Sequence, residues 1–379
     1  MKKILIVFGT RPEAIKMAPV VMELRRRQHA FVTKVCVTAQ HRQMLDQVLE
    51  HFHIHPDFDL DVMIENQDLF QVTSKILLGM KDVLAQEHPD LVIVHGDTTT
   101  TFAASLAAYY MQIPVAHVEA GLRTHNRYSP FPEEINRRLT SALTIYHFAP
   151  TQRARDNLVA EGILDEQIHV TGNTVIDALL FVHKQVKQAP PELGELKGIN
   201  LDDSPLMLVT GHRRENFEGG LVNVCEAIGR LAKDFPNLKI VFPVHLNPNV
   251  RGVVTNALKG MQNVFLIEPL SYLPFVYLMG KATLILTDSG GIQEEAPALG
   301  KPVLVTRSCT ERPEGVDAGV TEVVGTDTEQ VYAAVARLLT DPEEYQKMAC
   351  ASNPYGDGHA AVRIADILEN LEMVTRVGR

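Results

Sequence analysis

The 379-residue sequence has few cysteines, and it lacks the motifs of several common enzyme classes. Its four cysteines lie far apart, and no pair has metal-ligand spacing, which argues against a zinc site or a disulfide framework and favours a reducing, cytosolic compartment. No apolar run is followed by G-x-G-x-x-G, so a dinucleotide cofactor is disfavoured. The motifs G-x-x-x-x-G-K-[ST] and G-x-S-x-G are also absent, which argues against P-loop ATPase and α/β-hydrolase chemistry.

The sequence also lacks an excess of positive charge and any apolar run that approaches the length of a membrane span. The formal net charge is −10 at pH 7. Because nucleic-acid binding needs a basic face, we expect neither a nucleic-acid partner nor a membrane partner.

Short apolar runs alternate with longer helical patterns along the whole chain. Fully apolar runs bounded by turn residues are typical of parallel strands that are covered on both faces. The candidate strands are 4–8, 34–38, 91–95, 115–119, 146–149, 169–171, 206–210, 239–243, 264–267, 283–287, 303–306 and 322–324. Six strands on each side of about residue 172 predict an α/β protein with two Rossmann-like, doubly wound domains that face each other across a cleft. We expect residues 1–172, joined by a C-terminal helix at about 359–379, to form the first domain, and residues 173–358 the second.

A glycine-rich turn, Thr287–Ile292, is the most informative segment. It follows the apolar run Leu284–Leu286 and precedes a segment that favours a helix. Two glycines allow close approach of the backbone to a ligand, and the helix N-terminus presents N–H groups to it, which predicts a phosphate-binding turn. Glu294 or Glu295, one turn into the helix, could then reach sugar hydroxyls of a nucleotide. The alternative is an ordinary tight turn before a capped helix.

Polar and glycine-rich residues follow seven of the candidate strands. The carboxyl ends of parallel strands meet at one edge of a sheet, where ligands bind in open α/β folds. These strand endings are 9–16, 39–42, 95–101, 117–123, 211–215, 244–245 and 288–291. Seven such endings in register favour a shared binding cleft over ordinary polar loops.

Each candidate in these endings also has a purely structural interpretation. Asp97 could be only a helix N-cap, and Pro132-Glu133-Glu134 is typical of a helix start with acids in its first turn. Arg11 and Lys16 could belong to a solvated face. Asp57–Asp61 has the Asp-x-Asp spacing of metal-dependent nucleotide-sugar enzymes, but its alternating pattern is explained more simply by a half-exposed strand, and no metal site is predicted.

Two doubly wound domains with a diphosphate-binding turn in the second resemble the B-type nucleotide-sugar glycosyltransferase fold. Ten segments, in order along essentially the whole chain, further resemble the non-hydrolysing UDP-N-acetylglucosamine 2-epimerases. They are GTRPEAIK (9–16), TAQHRQMLDQ (38–47), HGDTTTT (95–101), HVEAGLRT (117–124), SPFPEEINR (129–137), GHRREN (211–216), PVHLNPNVR (243–251), DSGGIQEEAP (288–297), TERPEG (310–315) and NPYGDG (353–358).

The resemblance implies interconversion of UDP-N-acetylglucosamine and UDP-N-acetylmannosamine without a cofactor. The C2 proton of the sugar is not adjacent to a carbonyl, so direct removal would be slow. Departure of UDP from C1 gives oxocarbenium character that makes the C2 proton removable, and a 2-acetamidoglucal forms. Re-addition of UDP, with protonation at the other face of C2, inverts that centre. This chemistry requires a stabilised diphosphate and positioned carboxylates.

The resemblance also implies roles for particular residues and a homodimer. It assigns acid–base or catalytic roles to Asp97, Glu119, Glu133 and His212. It assigns substrate or UDP binding to Arg11, Lys16, Arg213, Phe275, Ser289, Gly290, Gly291, Glu295 and Arg312. A possible regulatory site for a second UDP-N-acetylglucosamine comprises Gln40, His41, Gln43 and His245, with Arg213. This chain has Glu65-Asn66 where some members of the family have an arginine, which argues against strong activation by such a site.

Three other functions compete with this one. A hydrolysing epimerase would let water reach the glycal and would release N-acetylmannosamine and UDP. A B-type glycosyltransferase would need an acceptor. A nucleotide-sugar sensor would need no acids such as Asp97, Glu119 and Glu133, because binding a diphosphate does not require them.

Overall fold

The computed structural model describes residues 1–39, 42–63, 67–211 and 219–372, and the chain divides into two compact units. The first unit comprises Met1–Ala178 and Gly356–Arg379, and the second comprises Leu179–Tyr355. The sequence-based division fell after residue 172 and returned to the first domain at about residue 359. In the described ranges, no helix is both long and apolar enough to cross a membrane.

The described chain consists of alternating strands and helices. The strands are β1 (Lys2–Phe8), β2 (Phe31–Val37), β3 (Phe58–Asp59), β4 (Leu91–His95), β5 (Val115–Val118), β6 (Tyr146–Ala149), β7 (Ile168–Val170), β8 (Leu206–Thr210), β9 (Lys239–Pro243), β10 (Val264–Ile267), β11 (Leu284–Thr287), β12 (Val303–Val305) and β13 (Thr321–Val323). The helices are α1 (Arg11–Arg26), α2 (Arg42–His51), α3 (Leu69–Glu87), α4 (Thr99–Tyr110), α5 (Glu133–Leu143), α6 (Gln152–Ala160), α7 (Thr174–Gln188), α8 (Gly220–Asp234), α9 (Pro248–Leu258), α10 (Tyr272–Lys281), α11 (Gly290–Glu295), α12 (Pro313–Asp317), α13 (Thr328–Thr340), α14 (Pro342–Ala349) and α15 (Ala360–Asn370).

The first unit contains a seven-stranded parallel sheet with the order β3-β2-β1-β4-β5-β6-β7. The chain order reverses between β1 and β4, so the carboxyl ends of these two strands flank a topological switch point, where open α/β sheets bind ligands. The predicted doubly wound sheet is confirmed. The seventh strand, β3, lies within the Asp57–Asp61 segment and pairs with β2, with Cys36 opposite Phe58, so the strand interpretation of that segment is confirmed.

The second unit contains a six-stranded parallel sheet with the order β10-β9-β8-β11-β12-β13. Its switch point lies between β8 and β11, which pair in register from Leu284 opposite Met207 to Thr287 opposite Thr210. All six predicted strands of this half are present, with bounds that differ by one residue at most. The glycine-rich turn Thr287–Ile292 therefore follows a central strand at its switch point.

Both sheets are buried by apolar side chains on both faces, as their sequence pattern predicts. In β1, Ile4 to Phe8 are fully buried, because α1 and α15 cover one face and α3 and α4 cover the other. In the second unit, a core of buried apolar residues links β8, β9 and β11 to α8, α9 and α13. These cores hold the strand ends in fixed positions, and the polar turns extend from them.

Helix α15 returns the chain to the first unit, and charged groups of that unit cap both of its ends. The Asp177 carboxylate accepts hydrogen bonds from the backbone N–H groups of Ala360 and Ala361 at 3.2 and 2.8 Å. The Lys2 ammonium donates to the carbonyl oxygens of Leu368, Glu369 and Leu371 at 2.6 to 2.8 Å. An anion at the N-terminus and a cation at the C-terminus both complement the helix dipole, so α15 is an integral part of the first unit.

Candidate active site

At the switch point of the first sheet, the buried Glu13 carboxylate joins the turn after β1 to the start of α4. Its Oε2 accepts from the N–H groups of Gly9 and Thr10 at 3.0 and 2.8 Å, and its Oε1 accepts from the hydroxyls of Thr98 and Thr101 at 2.7 and 3.2 Å. A Cβ at Gly9 would lie 2.0 Å from Thr38 Oγ1, so only glycine fits there. This network fixes the start of α1, where Arg11 and Lys16 lie.

Glu119, predicted to be a catalytic carboxylate, lies at the end of β5 beside Lys16 and His95. Its Oε2 is 2.5 Å from the Lys16 ammonium and 3.3 Å from His95 Nε2. Burial alone would raise the pKa of this carboxyl, but the Lys16 charge and the His95 ring outweigh burial and hold that pKa well below its ordinary value. Glu119 also has a positive φ of 63°, an uncommon backbone for a residue with a side chain. Backbone strain of this kind clusters at functional sites.

Asp97, the second predicted carboxylate, is anchored by Arg137 of α5. Its Oδ2 accepts from Arg137 Nη1 at 2.7 Å, and its carbonyl oxygen accepts from the Asn136 side-chain amide at 2.9 Å. The interpretation of Asp97 as a helix N-cap is wrong: the N-cap of α4 is Thr98, whose hydroxyl accepts from the Thr101 N–H. The sequence could not distinguish the two, because aspartate and threonine both suit that position.

The turn before Asp97 is held by a buried histidine. The Nε2 atom of His117, on β5, lies 2.7 Å from the carbonyl oxygen of Gly96. Burial lowers the pKa of His117 to about 3, so the ring is neutral at physiological pH and Nε2 must carry the hydrogen that it donates. Gly96 has a positive φ of 68°, which suits glycine at this turn.

Glu133 and Glu134 open helix α5, and only one of them is part of the internal ion-pair network. Glu134 is fully buried and pairs with Arg137 at 2.7 Å, and it also accepts from the N–H groups of Thr124 and His125. Glu133, the predicted catalytic residue, is half-buried, and its Oε2 is buried without a hydrogen-bond partner among the described residues. Glu134 is therefore the structural anchor, which leaves the Glu133 carboxylate available for a ligand.

In the second unit, the predicted phosphate-binding turn connects β11 to α11. The Ser289 N–H donates to the Thr287 hydroxyl at 3.0 Å, and that hydroxyl also contacts Thr210 Oγ1 at 2.6 Å. A Cβ added at Gly290 or Gly291 would meet no heavy atom within 4 Å. The fold itself therefore does not demand glycine there, and the open space suits close approach of a ligand to the backbone.

Glu294 and Glu295 have different environments, which separates the two candidates for a sugar contact. Glu294 is buried and pairs with the Arg312 guanidinium, so it holds the segment before α12 in place. Glu295 is half-buried. Arg312 is thus a partner of Glu294, and its predicted contact with UDP stays a prediction. Phe275 is a half-buried residue of α10, and its predicted contact with UDP also stays a prediction.

The remaining predicted residues belong mainly to segments that the structure does not describe. His212, Arg213, Gln40 and His41 lie outside the described residues, as does the Glu65-Asn66 departure, and the side chain of Gln43 is not described. His245 is exposed, and its Nδ1 accepts from the Asn247 N–H at 3.1 Å.

Two residues of the site, His95 and Arg137, are not singled out by the sequence, and Glu134 is marked there only as an acid in the first turn of a helix. His95 is the first residue of the HGDTTTT segment, at the carboxyl end of a predicted strand. That position indicates that its side chain lies near the site. Glu134 and Arg137 are three residues apart, which is the spacing of neighbouring side chains on a helix. This spacing is visible in the sequence and was a signal of their ion pair.

Two parallel, doubly wound sheets with polar turns at their switch points define a two-domain Rossmann-like protein of the B-type glycosyltransferase kind. A family model described as UDP-N-acetylglucosamine 2-epimerase matches residues 22–369. The UDP-N-acetylglucosamine 2-epimerase of Escherichia coli (strain K12) is 57% identical over 371 residues, which cover 97% of this chain and 98% of the relative. The chain therefore belongs to the UDP-N-acetylglucosamine 2-epimerase family, and it is an enzyme of the isomerase class.

Solved structures agree with this assignment. The crystal structure of UDP-GlcNAc 2-epimerase from Neisseria meningitidis bound to UDP-GlcNAc is 53% identical, with a TM-score of 0.87, and the match covers 97% of this chain and 99% of that one. The co-structure of S. aureus MnaA with UDP is 46% identical, with a TM-score of 0.85, and covers 97% and 96%.

Proposed function

We propose that this enzyme interconverts UDP-N-acetylglucosamine and UDP-N-acetylmannosamine by eliminating and re-adding UDP. Membership of the epimerase family supports the substrate, since the Neisseria meningitidis relative is bound to UDP-GlcNAc and the S. aureus relative to UDP. The observation that carries the chemistry is the Glu119 carboxylate, buried and kept ionised by Lys16, at the end of a central strand. A carboxylate in that state is a proton acceptor.

In the proposed reaction, the C1–O bond breaks and its electron pair leaves with the UDP oxygen. An enzyme carboxylate takes the C2 proton, and the C–H electron pair forms the C1–C2 double bond of 2-acetamidoglucal. In the second step, a proton is delivered to the opposite face of C2 and the UDP oxygen adds back to C1. UDP adds back and one proton replaces the one removed, so no oxidant, reductant or water is consumed.

The proposal assigns the acid–base steps to the carboxylates Glu119, Asp97 and Glu133 of the first unit. The three carboxylates lie in different environments: Glu133 Oε2 is buried without a hydrogen-bond partner among the described residues, whereas Asp97 is paired with Arg137. Acid and base roles require such a difference, because it separates the pKa values of the groups. The diphosphate is assigned to the turn at Ser289, Gly290 and Gly291, with the ribose at Glu295 and the uracil at Phe275. Arg11, Lys16, Arg213 and Arg312 supply positive charge, and His212 joins the catalytic group.

A second, regulatory UDP-N-acetylglucosamine remains part of the proposal. The residues that the family resemblance implies for it are Gln40, His41, Gln43, Arg213 and His245. With UDP-N-acetylmannosamine as substrate, added UDP-N-acetylglucosamine should raise the initial rate if it binds the regulatory site, whereas binding at the catalytic site alone would lower that rate by competition.

Turnover in deuterated water should place deuterium at C2 of both UDP-sugars with no added nicotinamide or metal. The elimination step exposes the C2 proton to an enzyme carboxylate that exchanges with solvent, whereas a hydride mechanism retains the original hydrogen. Mass spectrometry and proton NMR of the recovered UDP-sugars measure the label. Unlabelled product would rule out the elimination step, and release of free N-acetylmannosamine in step with turnover would favour a hydrolysing enzyme.

We also propose that the enzyme is a homodimer whose contact includes the outer face of α3. Phe70 is 84% exposed and Leu78 is 65% exposed, and their spacing of eight residues places both on one helix face. Large apolar side chains grouped on one face are typical of a contact surface.

The Phe70→Glu/Leu78→Glu double variant should sediment as a monomer, because two charges at the centre of an apolar contact prevent its burial. Sedimentation velocity of the wild type and the variant measures the change. Val222→Glu, an exposed position on α8 in the second unit, is the matched control and should leave the oligomeric state unchanged. A wild-type monomer, or a variant that remains dimeric, would contradict the proposed contact.

A further inference from the structure

The Glu119 carboxylate is held through only one of its two oxygens. Lys16 Nζ and His95 Nε2 both contact Oε2, at 2.5 and 3.3 Å. No described residue donates a hydrogen bond to Oε1. One oxygen therefore fixes the group in place, and the other is left for a proton of the ligand.

The two groups that hold Oε2 differ in their freedom to move. Lys16 lies on α1 at the end of a flexible four-carbon chain, and its compact charge is attracted by any anion that binds near the N-terminus of that helix. His95 is the last residue of β4, its side chain is only 4% exposed, and its ring is confined by the core. His95 Nδ1 is buried without a hydrogen-bond partner among the described residues, and Nε2 has the 3.3 Å contact with Glu119 but not the alignment of a full hydrogen bond. An imidazole buried in this state is expensive unless its contact with the Glu119 carboxylate compensates.

We propose that His95 is a positioning residue, which keeps the Glu119 carboxylate in its reacting place when the Lys16 ammonium turns towards the diphosphate of the bound nucleotide sugar. The inference rests on the proposed function, because it assumes that Lys16 and the diphosphate meet. When Lys16 leaves, Glu119 loses its strongest attraction to a cation, and its pKa rises from the depressed value of the free enzyme. The carboxylate thus becomes a better proton acceptor only after substrate has bound, and His95 preserves its geometry through that change.

Replacement of His95 tests this role through a split between kcat and KM. His95→Leu should lower kcat by about 10- to 100-fold, with KM changed by less than about threefold, because the carboxylate is misplaced while the nucleotide still binds. His95→Gln, whose amide nitrogen can occupy the position of Nε2, should recover kcat to within about fivefold of the wild type. His169→Leu is the matched control: this histidine is half-buried and also lies on a strand of the first sheet, but it packs on β7 against Phe148, so its replacement should leave kcat unchanged. Equal losses in the His95→Leu and His169→Leu enzymes would overturn the proposal.

The pH profile gives a second readout that loss of packing would not change. The charged or titratable groups that face Glu119 are Lys16 from α1 and His95 from β4, with His117 of β5 beside His95. His95 helps to depress the pKa of Glu119, so its removal raises that pKa. The acid limb of kcat/KM should therefore move to higher pH in His95→Leu and stay in place in His169→Leu. An unmoved acid limb in His95→Leu would contradict the contact.

A crystal structure of the wild-type protein with UDP tests the geometry without any turnover. Lys16 Nζ should lie more than about 4 Å from Glu119 Oε2, while His95 Nε2 stays within about 3.5 Å of that oxygen. Separation of His95 from Glu119, or Lys16 still bound to Glu119, would overturn the proposal. Absence of deuterium exchange in the wild type would instead contradict the proposed function, and the UDP complex would still decide the role of His95.

Discussion

Glu119→Gln should lower kcat by about two to four orders of magnitude while UDP binding persists. A positioned acid or base contributes an acceleration of this size, and the amide has the same shape but cannot accept the C2 proton. UDP is assigned to the turn at Ser289 to Gly291, which does not include Glu119, and loss of the Glu119 charge frees Lys16, so the affinity for UDP should not fall. Steady-state kinetics give kcat, and isothermal titration calorimetry gives the dissociation constant of UDP.

Glu87→Gln is the matched control for this substitution. Glu87 also forms a lysine–glutamate pair in the first unit, with Lys3 at 3.3 Å, but Lys3 lies at the start of β1, at the opposite edge of the sheet from the candidate site. The control should retain normal turnover.

Asp97→Asn should lower kcat as Glu119→Gln does. Near-normal turnover in both variants would show that the two carboxylates have purely structural roles.

Glu134→Ala should lower the stability of the first unit by about 3 to 5 kcal/mol, because it leaves the buried Arg137 guanidinium short of a partner. Arg137 has a side-chain exposure of only 8%, and Glu134 also satisfies the backbone N–H groups of Thr124 and His125. For a unit of about 200 residues this corresponds to a melting temperature lower by about 10 °C. Thermal unfolding followed by circular dichroism measures the shift.

The neighbouring substitution Glu133→Ala separates stability from catalysis on the same helical turn. Since Glu133 Oε2 has no hydrogen-bond partner among the described residues, its loss should leave the melting temperature nearly unchanged while turnover falls. Equal melting shifts for the two variants would show that the network around Arg137 does not depend on Glu134.

The stabilising effect of Glu134 should also depend on pH. Burial alone would raise its pKa, but the hydrogen bond from Thr124 and the Arg137 charge outweigh burial and lower it. A depressed pKa in the folded state stabilises the protein above the unfolded value of about 4.3, and this contribution is lost as the pH falls through the folded pKa. The melting temperatures of wild type and Glu134→Ala should therefore converge in acid.

Most of the fold could be predicted from the sequence, because strands buried on both faces are apolar without interruption. The run Leu284–Leu286 is an example: it is bounded by turn residues and lies in β11, as predicted. The short strand β3 has no such pattern, since only two residues pair with β2. Its neighbour Asp57 belongs to an alternating segment for which the sequence predicts a half-exposed strand, and the pairing with β2 confirms that strand.

The site could be predicted in its residue types but not in its pairings. A sequence places Lys16 and Glu119 in separate motifs, and their contact depends on the order of β1, β4 and β5 in the sheet. The choice between Glu133 and Glu134 likewise depends on which side chain faces Arg137 after folding. Such contacts join residues that are far apart along the chain or equivalent in local pattern, so only the three-dimensional structure distinguishes them.

The capping of α15 by Lys2 and Asp177 determines the order in which the newly made protein can fold. The first unit is built from both ends of the chain, and its last helix leaves the ribosome after the entire second unit has emerged. The second unit can therefore fold during synthesis, whereas the first must wait with its β1 and α1 surfaces uncovered until α15 arrives. Until then, that apolar surface of the nascent chain stays exposed to solvent.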